Sequence, residues 1–340
     1  MLTSKGGLPR ECRMNEVSQR RIRHVAALLL AATLAMGAGA AFAQSYPSRV
    51  IKLIVPFSPG GQPDTIARII AQHLSASVGT TIIDNRPGAN TTIGTKAAAA
   101  AEPDGYTLLF ASSTSLALAP ALKGGDYDPV KSFAPIALIS SAPFILAVGP
   151  SVPATTVAEF IAYAKAHPGK LNFAAPTGGP PHVAGEMFKA ATGIDIVPVS
   201  YRAMNQAFAD LIAGQMDIIF DAPALLLPFI RDGKARALVV MNARRSADLL
   251  DVPTMAESAL PDLSLTVWNG LVAPAGTPEP IVARLNIAIN DGLLSPNIRT
   301  AFARLGSEPL AGSPQDFAAF IASEAKKWAD TVRSAGLKSE

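Results

Sequence analysis

The chain has 340 residues and a formal net charge of +3, but its first 43 residues alone carry +4. The remaining 297 residues therefore have a net charge of −1, which argues against nucleic-acid binding despite the basic isoelectric point. The only cysteine, Cys12, lies in the same basic leader, so the rest of the chain excludes disulfides and thiolate metal sites. A chain of this length can form two domains, each with its own core.

The leader, residues 1–43, has the pattern of a signal peptide that is removed on export. An uncharged stretch rich in Ala and Leu, residues 25–43, follows its basic part and ends in the small-x-small sequence Ala41-Phe42-Ala43. We therefore predict a mature protein that begins near Gln44. Arg20-Arg21 leaves a twin-arginine route open, although ordinary secretion is favoured, and an uncleaved membrane anchor is the remaining alternative.

The first strand, loop and helix of the mature chain predict an anion site. The apolar, β-branched run Ile51–Val55 is typical of a buried strand, and prolines and glycines follow it directly. Gly60 and Gly61 allow a sharp turn and leave room for a ligand, and Asp64 is predicted to be the N-cap of the next helix. Such a loop directs backbone N–H groups and a helix N-terminus at one point, where an anion can bind. The spacing matches neither a P-loop nor a dinucleotide fingerprint.

Strands and helices alternate along the rest of the mature chain. Further strands are predicted over residues 81–84, 106–111, 134–139, 144–148, 171–174, 196–199, 218–220, 237–241 and 269–273, and helices over 93–101, 157–166, 182–191, 206–213, 225–231, 279–294 and 316–332. This alternation predicts an α/β fold in which helices cover mostly parallel sheets.

Two such runs and a late third segment predict two lobes. Lobe one would comprise residues 44–145 and 268–340, and lobe two residues 146–267, with the chain crossing twice, near residues 142–148 and 265–271. Ligands in open α/β sheets bind at the carboxyl ends of the strands. We therefore expect the loops of both lobes to face one cleft.

Eight ordered motifs carry a resemblance that covers the mature chain from Tyr46 nearly to its end. They are YPSRVIKLIVPFSPGGQPD, NRPGAN, PDGYTLL, YDPVKSFAPI, HVAGEMF, DLIAGQMDIIFD, DVPTMAES and LVAPAGTP. In these motifs the chain resembles the Bug-type extracytoplasmic solute receptors, the binding proteins of tripartite tricarboxylate transporters. The resemblance implies a two-lobed, type II-like periplasmic binding protein (a Venus flytrap) that closes on a small organic carboxylate and delivers it to membrane subunits. It further implies no cofactor and no catalytic activity. We also expect a monomer without membrane insertion or a metal site.

The resemblance also implies where the ligand binds. One ligand carboxylate would lie between the first loop and a Gly-rich loop of the other lobe, held by backbone N–H groups, hydroxyls and ordered waters. The implied and candidate ligand-binding residues are Phe57, Ser58, Pro59, Gly60, Gly61, Gln62, Ser112, Ser113, Thr177, Gly178, Gly179, Pro180, Tyr201, Arg202 and Asp221. Asp221 is either an acceptor for a ligand amine or hydroxyl, or a helix N-cap. Arg202 either pairs with a ligand carboxylate or is a solvated charge at the cleft edge.

The second Gly-rich loop departs from the family pattern. The family usually has hydroxyl residues directly before its histidine, whereas Gly178-Gly179-Pro180-Pro181-His182 is one residue shorter and lacks those hydroxyls and two N–H donors. We therefore predict that Pro180, Pro181 and Met204 make the lobe-two side of the pocket apolar, and that the ligand has one strongly held carboxylate and an apolar body. The alternative is that the prolines only start a helix, since proline is favoured at the first helical position.

Two other classes of function are alternatives to a transport receptor. A periplasmic sensor would present a carboxylate to a membrane signalling partner without transport, and the sequence does not separate it from a transport receptor. An enzyme is disfavoured because no G-x-S-x-G motif is present and because His73, His167 and His182 do not share a metal-ligand spacing. His182 is interpreted as a helix-start residue that packs or forms a hydrogen bond.

Overall fold

The computed structural model describes residues 46–340 apart from 124–126, 202–203, 224–225, 247, 259, 262, 335 and 338–340. The predicted signal peptide, the predicted mature start at Gln44 and the candidate residue Arg202 lie outside the described residues. No helix in the part of the chain that the structure describes is long and apolar enough to cross a membrane.

The described strands form two sheets. They are β1 (Ile51–Val55), β2 (Thr81–Asn85), β3 (Thr107–Ser112), β4 (Phe133–Pro143), β5 (Ile145–Val148), β6 (Leu171–Ala175), β7 (Ile196–Ser200), β8 (Ile218–Asp221), β9 (Arg236–Val240), β10 (Thr266–Pro274) and β11 (Glu308–Pro309). The short inner strands β1 and β5 are buried except at Lys52, as their mainly apolar sequences predict.

Helices connect the strands and pack on the sheets. They are α1 (Gln62–Ser77), α2 (Thr92–Ala99), α3 (Ala119–Lys123), α4 (Val157–Ala166), α5 (Pro180–Thr192), α6 (Met204–Ile212), α7 (Leu227–Arg231), α8 (Glu279–Leu294), α9 (Pro296–Arg304) and α10 (Pro314–Ser334). A π-helix, Thr114–Leu118, directly precedes α3. Proline occupies one of the first two positions of α1, α5, α7, α8 and α9, where its missing N–H breaks no helical hydrogen bond.

The two sheets share an internal strand order. The first sheet has the order β11-β4-β10-β3-β1-β2, in which β1 pairs in parallel with β2 and β3. The second has the order β7-β6-β8-β5-β9, in which β6 pairs in parallel with β7 and β8. In each set of three parallel strands, the earliest lies between the other two. The chain therefore leaves adjacent strands in opposite directions, and a crevice opens outside their carboxyl ends.

The chain crosses between the two sheets twice, and hydrogen bonds join the crossings. Phe144 alone separates β4 from β5, and residues 241–265 connect β9 to β10. The Met241 N–H donates to the Phe144 carbonyl at 2.7 Å, and the Phe144 N–H donates to the Leu265 carbonyl at 3.0 Å. The Leu265 N–H closes the ring by donating to the Met241 carbonyl at 3.0 Å. These three bonds define the hinge.

The two-lobed α/β fold is confirmed, but the sheets are mixed rather than mostly parallel. β10 runs antiparallel to β3 and β4, and β5 runs antiparallel to β8 and β9. The hinge is the reason, because a chain that leaves a lobe on one strand must return through the same hinge on a neighbouring strand of opposite direction. β5 begins one residue before residue 146, and β10 two residues before residue 268, which are the positions predicted for the lobe boundaries.

Aromatic packing holds α5 against the second sheet. Phe173 on β6 and Phe220 on β8 pack edge to face with 6.0 Å between ring centroids, and Phe188 of α5 lies 5.7 Å from Phe220. Gly185 permits this close approach, since a Cβ at that position would lie 2.2 Å from Cε2 of Phe173. The position of the helix start at Pro180 is therefore set by the core of lobe two.

Candidate functional site

A cavity of about 610 Å³ lies between the two sheets, at the carboxyl ends of β1, β3, β6 and β8. It is lined by Phe57, Ser58, Pro59, Gly60, Gly61, Gln62, Pro63, Ser112, Ser113, Thr114, Phe144, Pro176, Pro180, Pro181, Met204, Asn205, Asp221, Ala222, Val267, Trp268 and Asn269. Its volume suits a small organic molecule. Within this described lining Asp221 is the only charged side chain, and the described residues contain no cluster of three His, Cys, Asp or Glu that could hold a metal ion.

The loop after β1 is held in shape by a buried carboxylate. Gly60 has φ +85°, a left-handed conformation that favours glycine, and its N–H donates to Oδ2 of Asp64 at 2.8 Å. The Asp64 carboxylate also accepts from Asn85 Nδ2 and Arg68 Nε, each at 2.8 Å. Burial raises the pKa of Asp64, but the hydrogen bonds outweigh it and hold this pKa below its usual range. The prediction that Asp64 is the N-cap is wrong, because Gly61 has that position. Asp64 lies in the first turn of α1, and its carboxylate reaches back to the Gly60 N–H.

Two backbone donors of this loop remain for a ligand. The N–H groups of Gly61 and Gln62 have no hydrogen-bond partner among the described residues, and Pro63 has no N–H. The Gln62 side chain is engaged elsewhere, because its Nε2 donates to the Leu305 carbonyl at 2.7 Å and lies 3.2 Å from Ser307 Oγ. The loop thus presents adjacent N–H groups at the N-terminus of a 16-residue helix, an arrangement that binds anions.

Hydroxyl groups follow β3 on the same side of the cavity. Ser112 is engaged with Ser115, since the Ser112 N–H donates to Ser115 Oγ at 2.8 Å and the Ser115 N–H to Ser112 Oγ at 3.2 Å. The hydroxyls of Ser113 and Thr114 make no hydrogen bond to another described residue, so they are free to bind a ligand. Thr114 begins the π-helix, a wide turn that often occurs at functional sites and that the sequence analysis did not predict.

The loop after β6 repeats the architecture of the loop after β1. Gly178 has φ +68°, and its N–H donates to Nδ1 of His182 at 3.2 Å, as the Gly60 N–H donates to Asp64. Gly179 caps α5 with φ −84° and ψ 169°, close to the φ −77° and ψ 169° of Gly61 at the start of α1. His182 therefore holds the loop at the helix start, as interpreted from the sequence.

In the second loop, none of residues 178–181 has a backbone N–H group that is free to bind a ligand. The Gly178 N–H binds His182, the Gly179 N–H donates to the Pro176 carbonyl at 2.9 Å, and Pro180 and Pro181 have no N–H. The cavity is bordered here by three proline rings and Met204. This loop of lobe two thus offers an apolar wall, where the corresponding loop of lobe one offers an anion site.

Ten of the fifteen predicted site residues line the cavity, and their contact with a ligand stays a prediction. Thr177, Gly178 and Gly179 are not part of the lining, because the turn engages them in hydrogen bonds within lobe two and with lobe one. Tyr201 also lies outside the lining, and its OH donates to Asp210 Oδ2 at 2.7 Å.

A hydrogen bond from Asn90 joins the two lobes. Asn90 lies between β2 and α2, and its Nδ2 donates to the Gly178 carbonyl at 3.0 Å. Ala89, Asn90 and Thr91 have φ values of +46°, +51° and +73°, a left-handed run that residues other than Gly and Asn rarely adopt. Gly178 therefore contacts lobe one directly, whereas Pro180 and Pro181 of the same loop line the cavity.

Asp221 ends β8 beside the hinge. It pairs with Ile145, whose neighbour Phe144 also lines the cavity. Its Oδ1 accepts from the Ala222 N–H at 2.7 Å, whereas Oδ2 has no hydrogen-bond partner among the described residues. Burial raises the pKa of Asp221 to about 7, although the Ala222 N–H lowers it. The alternative that Asp221 caps the next α-helix is excluded, because α7 has Leu226 as its N-cap.

Sequence reasoning missed the hinge side of the cavity. Phe144, Val267, Trp268 and Asn269 all belong to the two crossings or border them, and all line the cavity. Asn269 pairs with Ser112 between β10 and β3, which brings the crossing next to the polar end of β3. A signal was available, because segments that cross between two lobes necessarily border the cleft between them.

Comparison with known proteins relates this geometry to one family. The model for the tripartite tricarboxylate transporter family receptor matches residues 66–337 of the chain. The protein BugT of Bordetella pertussis is 36% identical over 303 residues, which cover 87% of this chain and 92% of BugT.

Solved structures of similar fold include carboxylate complexes. A protein of R. palustris solved with adipate is 33% identical with a TM-score of 0.79, covering 86% of this chain and 99% of its own. MatC from Rhodopseudomonas palustris, solved with bound malate, is 32% identical with a TM-score of 0.76, covering 84% and 100%. The periplasmic binding protein BugD is 31% identical with a TM-score of 0.77, covering 87% and 100%. The chain therefore belongs to the receptors of the tripartite tricarboxylate transporter family, which are periplasmic solute-binding proteins and not a family of enzymes.

Proposed function

We propose that this protein is a periplasmic receptor that captures a small organic carboxylate between its lobes and delivers it to the membrane subunits of a tripartite transporter. The observation that carries the proposal is the pair of unpartnered N–H groups of Gly61 and Gln62, which share a cavity with the free hydroxyls of Ser113 and Thr114. The adipate and malate in related structures support a carboxylate ligand, and membership of the family supports delivery to a transporter.

Export and lobe closure are parts of the same proposal. Residues 1–43 would be removed as a signal peptide, leaving a periplasmic monomer that begins near Gln44. Residues 44–145 with 268–340 would move as lobe one, and residues 146–267 as lobe two. The hydrogen-bonded ring of Phe144, Met241 and Leu265 supports rigid-body closure about two crossings.

The proposed ligand has one strongly held carboxylate and an apolar body. Backbone donors are available on the lobe-one loop, whereas residues 178–181 of lobe two offer none. Elsewhere in the cavity lining, Phe57, Phe144 and Trp268 add aromatic surface. A benzoate-type or aliphatic carboxylate fits this division of polar and apolar surface better than citrate, whose three carboxylates would need further donors.

Replacing Gly61 by Val is expected to weaken carboxylate binding at least tenfold, which is about 1.4 kcal/mol. The extended backbone at Gly61, with φ −77° and ψ 169°, accepts valine, and a Cβ would approach no atom closer than 3.7 Å. Valine should leave the turn itself intact, since Gly60 and not Gly61 has the left-handed backbone. The branched side chain would instead obstruct the anion site. Isothermal titration calorimetry with benzoate, hexanoate, adipate, malate and citrate provides the measurement.

Gly312→Val is the matched control for this experiment. A Cβ on Gly312 has no atom within 4 Å, its φ is not left-handed, and the residue does not line the cavity. Unchanged affinity in Gly61→Val would mean that the loop is only a turn. Tightest binding of citrate, by tenfold or more, would contradict the apolar-body ligand, and binding of none of the five acids would contradict the proposed function.

Replacing Asn90 by Gly is expected to open the ligand-free protein and to lower ligand affinity about threefold to tenfold. Glycine tolerates the left-handed φ of +51°, so the main loss is the Nδ2 donor to the Gly178 carbonyl, worth about 0.5–1.5 kcal/mol. Ala89→Gly is the control, because it relieves φ +46° without removing a bond between lobes. Small-angle scattering should give a larger radius of gyration for Asn90→Gly alone; equal radii in both variants would refute a latch at Asn90.

A further inference from the structure

The cavity has a second polar feature that the anion site does not explain. Asp221 lies at the hinge side, paired with Ile145, whereas the backbone donors of Gly61 and Gln62 belong to the lobe-one loop. One Asp221 oxygen accepts from Ala222, and Oδ2 lacks a partner among the described residues. A carboxylate with an open acceptor position inside a binding cavity requires a donor when the cavity closes and water is excluded.

No protein group in the described lining neutralises Asp221. The hinge contributes Phe144, and β10 contributes Val267, Trp268 and Asn269. The end of β3 contributes Ser112, Ser113 and Thr114, and α6 contributes Met204 and Asn205. None of these side chains is cationic, and none titrates near neutral pH. Within the described lining, the missing donor can therefore come only from water or from the ligand.

We propose that Asp221 is a specificity-determining residue whose Oδ2 accepts a hydrogen bond from a hydroxyl or ammonium group of the ligand. The ligand class is then a carboxylic acid that carries a donor group away from its carboxylate, on an apolar body that separates the two. This inference rests on the proposed function, because it assumes that the carboxylate binds at the lobe-one loop.

The alternative ligand, an unsubstituted dicarboxylate, is disfavoured by charge. Its second carboxylate would approach Asp221 in a cavity whose described lining offers no cation, and two like charges there would repel each other unless Asp221 took up a proton. The raised pKa of Asp221, about 7, is consistent with a site whose charged form lacks a partner until the ligand arrives. An ammonium or hydroxyl donor stabilises that charged form directly.

Two matched series of acids provide the test. The first contains hexanoate, 6-hydroxyhexanoate, 6-aminohexanoate and adipate, which share six carbons and differ at the far end. The second contains benzoate, 4-hydroxybenzoate, 4-(aminomethyl)benzoate and terephthalate. Calorimetric titration at pH 7.5 in two buffers of different ionisation enthalpy gives affinity and the number of protons exchanged. We expect a hydroxyl or ammonium member of at least one series to bind tenfold or more tighter than its unsubstituted parent, with proton release.

Three variants test whether this gain in affinity depends on Asp221. In Asp221→Ala the gain should disappear, so that donor-bearing and parent acids bind alike. In Asp221→Asn a hydroxyl ligand should keep part of the gain, whereas an ammonium ligand should lose it, because the amide oxygen accepts a hydrogen bond without negative charge. Asp232→Asn removes one charge from an exposed site on the same lobe and should change nothing.

The outcomes separate this inference from the proposed function. If the parent acids bind and Gly61→Val weakens them, but Asp221→Ala leaves the affinity order unchanged, the role of Asp221 is wrong and the carboxylate receptor stands. Tightest binding of adipate or terephthalate with proton uptake would equally overturn the inference, because Asp221 would then act as a protonated donor. If no acid in either series binds, both proposals fail.

Discussion

Asp221→Asn is expected to raise the free energy of unfolding of the ligand-free protein at pH 8, by up to about 4 kcal/mol. The reason is burial, which raises the pKa of Asp221 to about 7 from the unfolded value of 3.8. Between these two pH values the folded protein binds more protons at this site than the unfolded chain, so its stability falls as the pH rises from about 4 to 7. Asparagine has nearly the same shape and never acquires the charge.

Urea unfolding at pH 4, 6 and 8 measures this effect. The variant and the parent protein should be nearly equal in stability at pH 4, where Asp221 is mostly protonated in the folded state, and should diverge up to pH 8. Asp232→Asn, at an exposed position, should show no such divergence. A stability difference that is the same at all three pH values would mean that the substitution acts through packing rather than through the charge of Asp221. Saturating donor-bearing ligand should reduce the advantage of Asp221→Asn, because the ligand would then stabilise the charged carboxylate.

Glu324→Ala is expected to destabilise the protein by about 2–5 kcal/mol, because it leaves two buried indole N–H groups without an acceptor. Oε2 of Glu324 accepts from Nε1 of both Trp268 and Trp328, each at 3.1 Å, and all three residues are buried. Lys327 lies 3.6 Å from the other carboxylate oxygen. These are the only two tryptophans of the chain, so one carboxylate holds both.

Glu324→Gln is the matched control, since an amide oxygen can still accept from both indoles. We expect it to cost less than about 1.5 kcal/mol, the upper end of the net contribution of a typical hydrogen bond, because both bonds are weakened but neither is lost. Tryptophan fluorescence during urea unfolding reports both indoles directly. Because Trp268 lines the cavity, Glu324→Ala should also weaken binding of hexanoate or benzoate. Equal stability of the Ala and Gln variants would contradict an essential acceptor at this position.

Strands, turns and helix bounds that depend on residues adjacent in the sequence could be predicted closely. The apolar run Ile51–Val55 is the observed β1, and the glycine and proline pattern after it correctly places a turn and a helix start. The helix over Val157–Ala166 was predicted with its observed bounds, and Thr156 caps it by accepting from the Glu159 N–H. Such elements are set by residue propensities, capping residues and the periodicity of apolar residues over a short segment. These features can be identified in a single sequence.

Details of strand direction and hydrogen-bond partnership could not be predicted in this way. The antiparallel pairing of β10 with β3 and β4 joins residues that are 123 to 163 positions apart in the sequence. The role of Asp64 was misassigned because a carboxylate in the first turn can cap, bind a ligand or reach back, and only its neighbours Gly60, Asn85 and Arg68 decide which. The π-helix at Thr114 has no established sequence signature that would have indicated it.

The sequence by itself determined the α/β architecture, the family and one physical property of the second loop, namely that Pro180 and Pro181 cannot donate hydrogen bonds. These follow from local composition and from covalent structure, which do not depend on how the chain folds. The tertiary structure decided which groups share the cavity: it turned Gly178 toward Asn90, brought Trp268 and Asn269 into the lining, and placed Asp221 beside the hinge. The physical reason is that a site is defined by distances between distant segments, and those distances are set by the packing of both sheets and the hinge between them.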